Sequence, residues 1–135
     1  MNDCVFCKIV DGKIPSQKIG VTAKVISILD IHPNSAGHAL VIPRHHAQNA
    51  RDLPKDLWES LMEMAKKVGN AQMEKLGAQG FHLVMNNESA AEQVVFHAHV
   101  HVIPRYHGDG LKLAMPTLEM SSQKLLEIAQ KLKLE

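Results

Sequence analysis

The chain has 135 residues, a formal net charge of +1, 45% hydrophobic and 21% charged residues, which suits one globular domain and excludes a disordered or fibrous chain. The near-neutral charge and the lack of a Lys/Arg run offer no field for nucleic acid or an anionic membrane. No apolar run approaches the ~20 residues of a bilayer-spanning helix, and the start Met1-Asn2-Asp3-Cys4 lacks the basic and apolar parts of a secretory signal; a cytoplasmic location is expected.

In chain order, Cys4 and Cys7 come first, spaced C-x-x-C, a pattern that in a reducing compartment reads as metal ligation or thiol redox chemistry. Residues 16–29 carry Ile19, Val21, Val25, Ile26, Ile28 and Leu29, two short strands with a turn at Thr22-Ala23-Lys24. The turn formers of residues 31–37 lead into a third strand over 39–42, stopped by Pro43. Asp52 is a helix cap with Pro54 in the first turn, and Leu57, Leu61, Met64 and Val68 recur at helical spacing up to Gly77. Trp58 and Met62 widen that apolar stripe as core or interface residues, without chemistry.

Residues 81–85 read as a fourth strand, 86–92 as a polar loop and 94–103 as a fifth strand. Ser121 or Ser122 can cap a last helix carrying Leu125, Leu126, Ile128, Ala129 and Leu132. Short connections between strands imply an α+β fold, an antiparallel five-stranded sheet with one main helix packed on it and a C-terminal helix. Residues 1–135 form a single domain in this reading, with 117–135 a helical extension.

Nine histidines are many for this length. In Phe96-His97-Ala98-His99-Val100-His101-Val102 the strand period of two sends the apolar residues to the core and the three histidines to the other face. Histidines on one face recur every ~6.6–7 Å, so neighbouring rings can share an anionic group, and a side chain titrating near pH ~6.5 serves as nucleophile, acid or donor. A catalytic metal on the H-x-H pair is the other chemistry this spacing allows.

His97-Ala98-His99-Val100-His101-Val102-Ile103 resembles the H-φ-H-φ-H-φ-φ signature, φ being apolar, of the histidine-triad nucleotide-binding family. The likeness extends over Asp30 in its Leu-Asp-Ile setting, over residues 37–43 with His38, and over Asn86, so that it spans Cys4 to Arg105. It implies a homodimer binding an AMP-containing purine nucleotide, with neither nucleic acid nor membrane as partner. His99 would attack the α-phosphate of a nucleoside phosphoramidate or dinucleoside polyphosphate, giving a nucleotidyl-histidine that water hydrolyses to a nucleoside monophosphate.

By the same resemblance, His101 donates to the phosphate, His38 buttresses the triad, Asp30 holds the ribose hydroxyls, and Asn86 and Gln93 lie on the phosphate side. Cys4 and Cys7 are half of a Cys₂His₂ structural zinc site, which the family register completes with His46, in preference to its neighbour His45, and His97. No catalytic cofactor is implied. Two departures stand out: Glu92 and Val94 occupy the places of the family's glycine and hydroxyl residue in Gly-Gln-Ser or Gly-Gln-Thr. They imply slower turnover or a leaving group that protonates itself, and they motivate a competing reading, a zinc-stabilised nucleotide-binding protein with little catalysis.

Overall fold

The computed structural model describes residues 3–134. Its sheet has the order β1-β2-β3-β5-β4, formed by β1 (Lys18–Val21), β2 (Val25–Leu29), β3 (Ala39–Pro43), β4 (Gly80–Val84) and β5 (Val100–Arg105), with every neighbouring pair antiparallel. Thr22 builds the first turn, its Oγ1 accepting from the amides of Lys24 and Val25. The α+β architecture expected from the strand count is the one observed.

Alternation along the central strands splits the core in two. Val25, Ala39, Val41, Val100 and Val102 face α2 (Lys55–Leu76), which covers them with Leu61, Met64, Ala65 and Val68. Ile26, Ile28, Leu40 and Ile42 face the other way, onto Phe6 and Ile9 of α1 (Val5–Val10). Because β2 and β3 are covered on both faces they read as continuous apolar runs. Gln72 of α2 fastens the helix to the sheet, its Nε2 donating to the carbonyls of Gly37 and Val102 at 3.0 and 2.9 Å.

α2 ends as expected at Gly77, in the left-handed region at φ 73°. Its start differs: the N-cap is Pro54, and Asp52 closes a capping box with Asn49 around the 3-10 turn Ala50–Asp52. Within α2, a Cβ at Gly69 would lie 2.4 Å from the Phe81 ring of β4. Alanine there gains about 1 kcal/mol of helix propensity but forces the ring aside, a strain of about 1–3 kcal/mol in a packed core. Gly69→Ala is therefore expected to lower the denaturant midpoint without changing the m-value.

Two further features differ from expectation. The helix α1 carries no sequence signal of its own, being only six residues long. β5 begins at Val100, not Val94, because the carbonyl of Pro43, where β3 would extend the pairing, accepts from the His97 ring Nε2 at 2.8 Å, while Ala98 N donates to Ala47 O. Phe96, expected in the core, is consequently 37% exposed; Trp58, expected in the core or an interface, is on the surface of this chain. α3 (Ser122–Leu132) is capped by Ser121, as expected, and has no buried residue. Among the described residues, no helix is long and apolar enough to cross a membrane.

Candidate active site and metal centre

On the α1 face of the sheet lies a cleft of about 580 Å³ whose walls include Val5, Phe6 and Ile9, with Asp30, His99 and His101 among its polar groups. His99 stands one residue before β5. Its Nδ1 donates to the His97 carbonyl at 2.7 Å, which fixes the tautomer and leaves Nε2 as a free lone pair. The Phe6 ring packs edge-on against it, with centroids 4.9 Å apart at 82°. Burial lowers the His99 pKa, so the neutral, nucleophilic form persists below the usual histidine range.

His101 pairs with Leu40 in the β3–β5 ladder and its ring centroid lies 5.1 Å from that of His99. The hydrogen-bond chain behind it assigns both tautomers. Asn34 N donates to His38 Nδ1 at 3.0 Å, so neutral His38 carries its proton on Nε2, which donates to His101 Nδ1 at 2.9 Å. His101 must then hold its own proton on Nε2. Burial, and then the neighbouring His99 and His38, push the His101 pKa down to about 4, and burial lowers that of His38 against the pull of Asp30.

Asp30 sits beside this chain, its Oδ2 3.5 Å from His38 Nε2 and its Oδ1 accepting from His32 N at 2.8 Å. Asn86, Glu92, Gln93 and Val94 also line the cleft. The Gln93 side chain is fully engaged in the interior: Oε1 accepts from Asn49 Nδ2 and Glu88 N, and Nε2 donates to the carbonyls of Gln48 and Val95. It holds the loop against residues 48–49 and has no side-chain valence left for a ligand. Glu92 adopts φ 68° and ψ 25°, the left-handed conformation that glycine takes without strain. Val94 is 86% exposed at the mouth.

The cysteines and two histidines converge beneath the other end of α1. Ligand atoms of Cys4, Cys7, His46 and His97 all lie within 4.8 Å of one another. Cys4 Sγ is 3.3 Å from His97 Nδ1, Cys7 Sγ is 3.4 Å from both ring Nδ1 atoms, and the two Nδ1 atoms are 3.1 Å apart. Zinc bonds of ~2.0–2.3 Å in a tetrahedron give ligand edges of ~3.3–3.8 Å; the sulfur–nitrogen separations fall in that span and the nitrogen pair lies just short of it, so the donor set fits. His97 Nε2–H donates to Pro43 O, which leaves Nδ1 as a lone pair, the outer hydrogen bond typical of a metal-bound imidazole.

His45 is exposed and outside this group. Burial, followed by the hydrogen bond and charge of Cys4, pushes the Cys7 thiol up to about 11, and burial takes His97 down to about 4. Asp30, His38 and His101 also lie close enough to chelate an ion, with His38 Nε2 and His101 Nδ1 joined in one hydrogen bond.

Sequence reasoning missed Phe6, Asn34 and the buried Asn49. Asn49 was detectable, since Asn-x-x-Asp marks a capping box; Phe6 and Asn34 had no local signal.

A family model for the HIT domain matches residues 11–108. The adenosine 5′-monophosphoramidase of Schizosaccharomyces pombe is 37% identical over 130 residues, 96% of this chain and 95% of that one. The adenylylsulfatase of Arabidopsis thaliana is 38% identical over 131 residues, 97% of this chain and 66% of that one. A zinc-bound histidine-triad protein of Mycobacterium smegmatis superposes with a TM-score of 0.80 at 38% identity, over 83% of this chain and 81% of that one. With the family model spanning most of its length and relatives at this identity covering nearly all of it, the chain belongs to the HIT domain family.

Proposed function

We propose that the protein is a nucleotide hydrolase or nucleotidyl transferase acting at the α-phosphate of adenosine phosphoramidates or related AMP adducts. The observation that carries this is His99, whose Nδ1 proton is committed to the His97 carbonyl while Nε2 is free on the cleft side. Nε2 attacks phosphorus, the bond from phosphorus to the leaving amine breaks, and that nitrogen keeps the electron pair and takes a proton from water. The ring, still protonated at Nδ1, becomes a phosphorylated imidazolium whose charge faces the His97 carbonyl dipole. Water then attacks phosphorus, losing a proton to the hydroxide left by the first step, the electron pair returns to Nε2, and AMP leaves.

In this scheme His101 donates its Nε2 proton as a hydrogen bond to a phosphate oxygen and His38 fixes its tautomer. Asp30 receives the ribose hydroxyls, Asn86 contacts the phosphate side, and Gln93 shapes the loop. Cys4, Cys7, His46 and His97 would hold a zinc ion that closes a tetrahedral structural site and supplies rigidity, not an activated water. The Schizosaccharomyces pombe and Mycobacterium smegmatis relatives support the substrate class and the ion. We extend the proposal to a homodimer, with residues 117–135 as an extension of the single domain. Glu92 and Val94 favour one second reading, a purine-nucleotide binder of little turnover.

The test is AMP release from adenosine 5′-phosphoramidate, together with a mass increase of one AMP on quenched protein. Saturable AMP binding without either signal would replace the hydrolase by the binder. The same assay has an expected pH profile. Because His99, His101 and His38 all titrate below the ordinary value near ~6.5, kcat/KM stays flat as pH falls from 8 through about 6.5 and drops only in more acid solution. An acid limb centred at or above about 7 would contradict the neutral tautomer chain.

A further inference from the structure

The cleft assigned above to AMP adducts offers no fixed cation to their phosphate. Among the described residues lining it there is no lysine or arginine, and the two charged side chains are the carboxylates of Asp30 and Glu92. Asp30 faces inward beside His38 and His101. Glu92 is exposed and enters none of the ion pairs of the described residues. By contrast Glu88, at the other end of the same loop, is spoken for by Asn49 and Arg51.

Glu92 is also held in a backbone state that disfavours any side chain. Its φ of 68° is left-handed, and its N–H caps the preceding 3-10 turn through Ser89 O. Glu92 and Val94 line the same cleft as His99 and His101. With Asp30 given to the nucleoside in the proposed function, Glu92 is the carboxylate left to face the leaving group. A free carboxylate there repels a chain of phosphates and attracts a cation, and no nearby lysine or arginine in the lining offsets it.

We propose that Glu92 is a specificity-determining residue that selects leaving groups by charge, favouring amines that carry a further positive charge and disfavouring anionic ones such as polyphosphate. This rests on the assignment of the cleft to AMP adducts made above. An amine leaving group also suits Val94, because its nitrogen is basic enough to take a proton from solvent without a hydroxyl relay. Recognition at Glu92 is electrostatic and long-range, so it acts on kcat/KM through encounter and binding of the substrate tail.

The decisive experiment uses three adenosine 5′-phosphoramidates of one alkylamine length, ending in an ammonium, a methyl or a carboxylate group. For the wild-type protein kcat/KM is expected to fall in that order, by about fivefold per step at low salt, and the steps shrink as salt screens the carboxylate. In Glu92→Gln each step falls below about twofold, and Glu92→Gly, which suits the left-handed backbone, behaves alike should glutamine disturb the loop. Equal rates across the series in the wild type, or an unchanged order in both variants, overturn the charge selection alone. Release of AMP from none of the three overturns the hydrolase reading together with it.

Discussion

His99→Ala is expected to lower single-turnover AMP release from adenosine 5′-phosphoramidate by at least about a thousandfold, the scale on which covalent nucleophiles contribute, and to abolish the AMP-protein adduct. The loss concentrates in the chemical step. The groups proposed to hold the nucleotide, Asp30 with its amide-anchored carboxylate and the apolar wall of Phe6 and Ile9, lie outside the substitution, so AMP affinity measured by calorimetry stays within about threefold, less than one hydrogen bond's worth. Folding survives, because His99 lies on the cleft side and the strand is held by Val100 and Val102 in the core beneath α2. A variant retaining a tenth of the wild-type rate would mean that water attacks phosphorus directly and that the triad serves only as a donor set.

The second large effect is expected on stripping the metal, by chelation or by Cys4→Ser with Cys7→Ser. A six-residue helix cannot stand alone in water, and α1 is pinned at its start by Cys4, whose Sγ also caps it by accepting from Cys7 N at 3.3 Å. Without the ion the Cys7 thiol, at about 11, is protonated at neutral pH, and the ligand cluster no longer ties α1 to His97. The thermal midpoint should drop by several degrees and turnover by more than about tenfold, as Phe6 leaves the His99 ring; zinc, at one ion per chain by mass spectrometry, should restore both. Binding displaces the Cys7 proton, so zinc affinity falls as pH falls. Activity lost at once on chelation with an unmoved melting curve would instead place a catalytic ion at the triad.

Much of this architecture was legible because periodicity encodes it. Strands β2 and β3 announce themselves as apolar runs, Gly77 marks the end of α2, and the H-x-H-x-H spacing places His99 and His101 on one face with Leu40. What stayed hidden depends on contacts distant in sequence. An alternating segment reads the same whether or not a neighbouring strand pairs with it, so the early end of the ladder at Val100, set by the His97 bond to Pro43, could not be foreseen. α1 lacks the length for a helical signature, and its Cys4 and Cys7 meet His46 and His97 from far along the chain. Gln93 was placed by family register, but its four interior hydrogen bonds appear only once Asn49 and Glu88 are brought to it.

The start of β5 one residue after His99 has a mechanical meaning. A nitrogen that closes on phosphorus from a contact of about 3–3.5 Å must travel more than an ångström to form a bond. His101, clamped between β3 and β4 through pairs with Leu40 and Val84, is built to stay still. His99 lies beyond both ladders, tethered by one carbonyl and packed against the rings of Phe6 and His101, so in the proposed mechanism its ring would advance and recoil without dragging the sheet along. The proposed mechanism thus asks for stiffness where charge is met at a fixed point, and for compliance where an atom has to move.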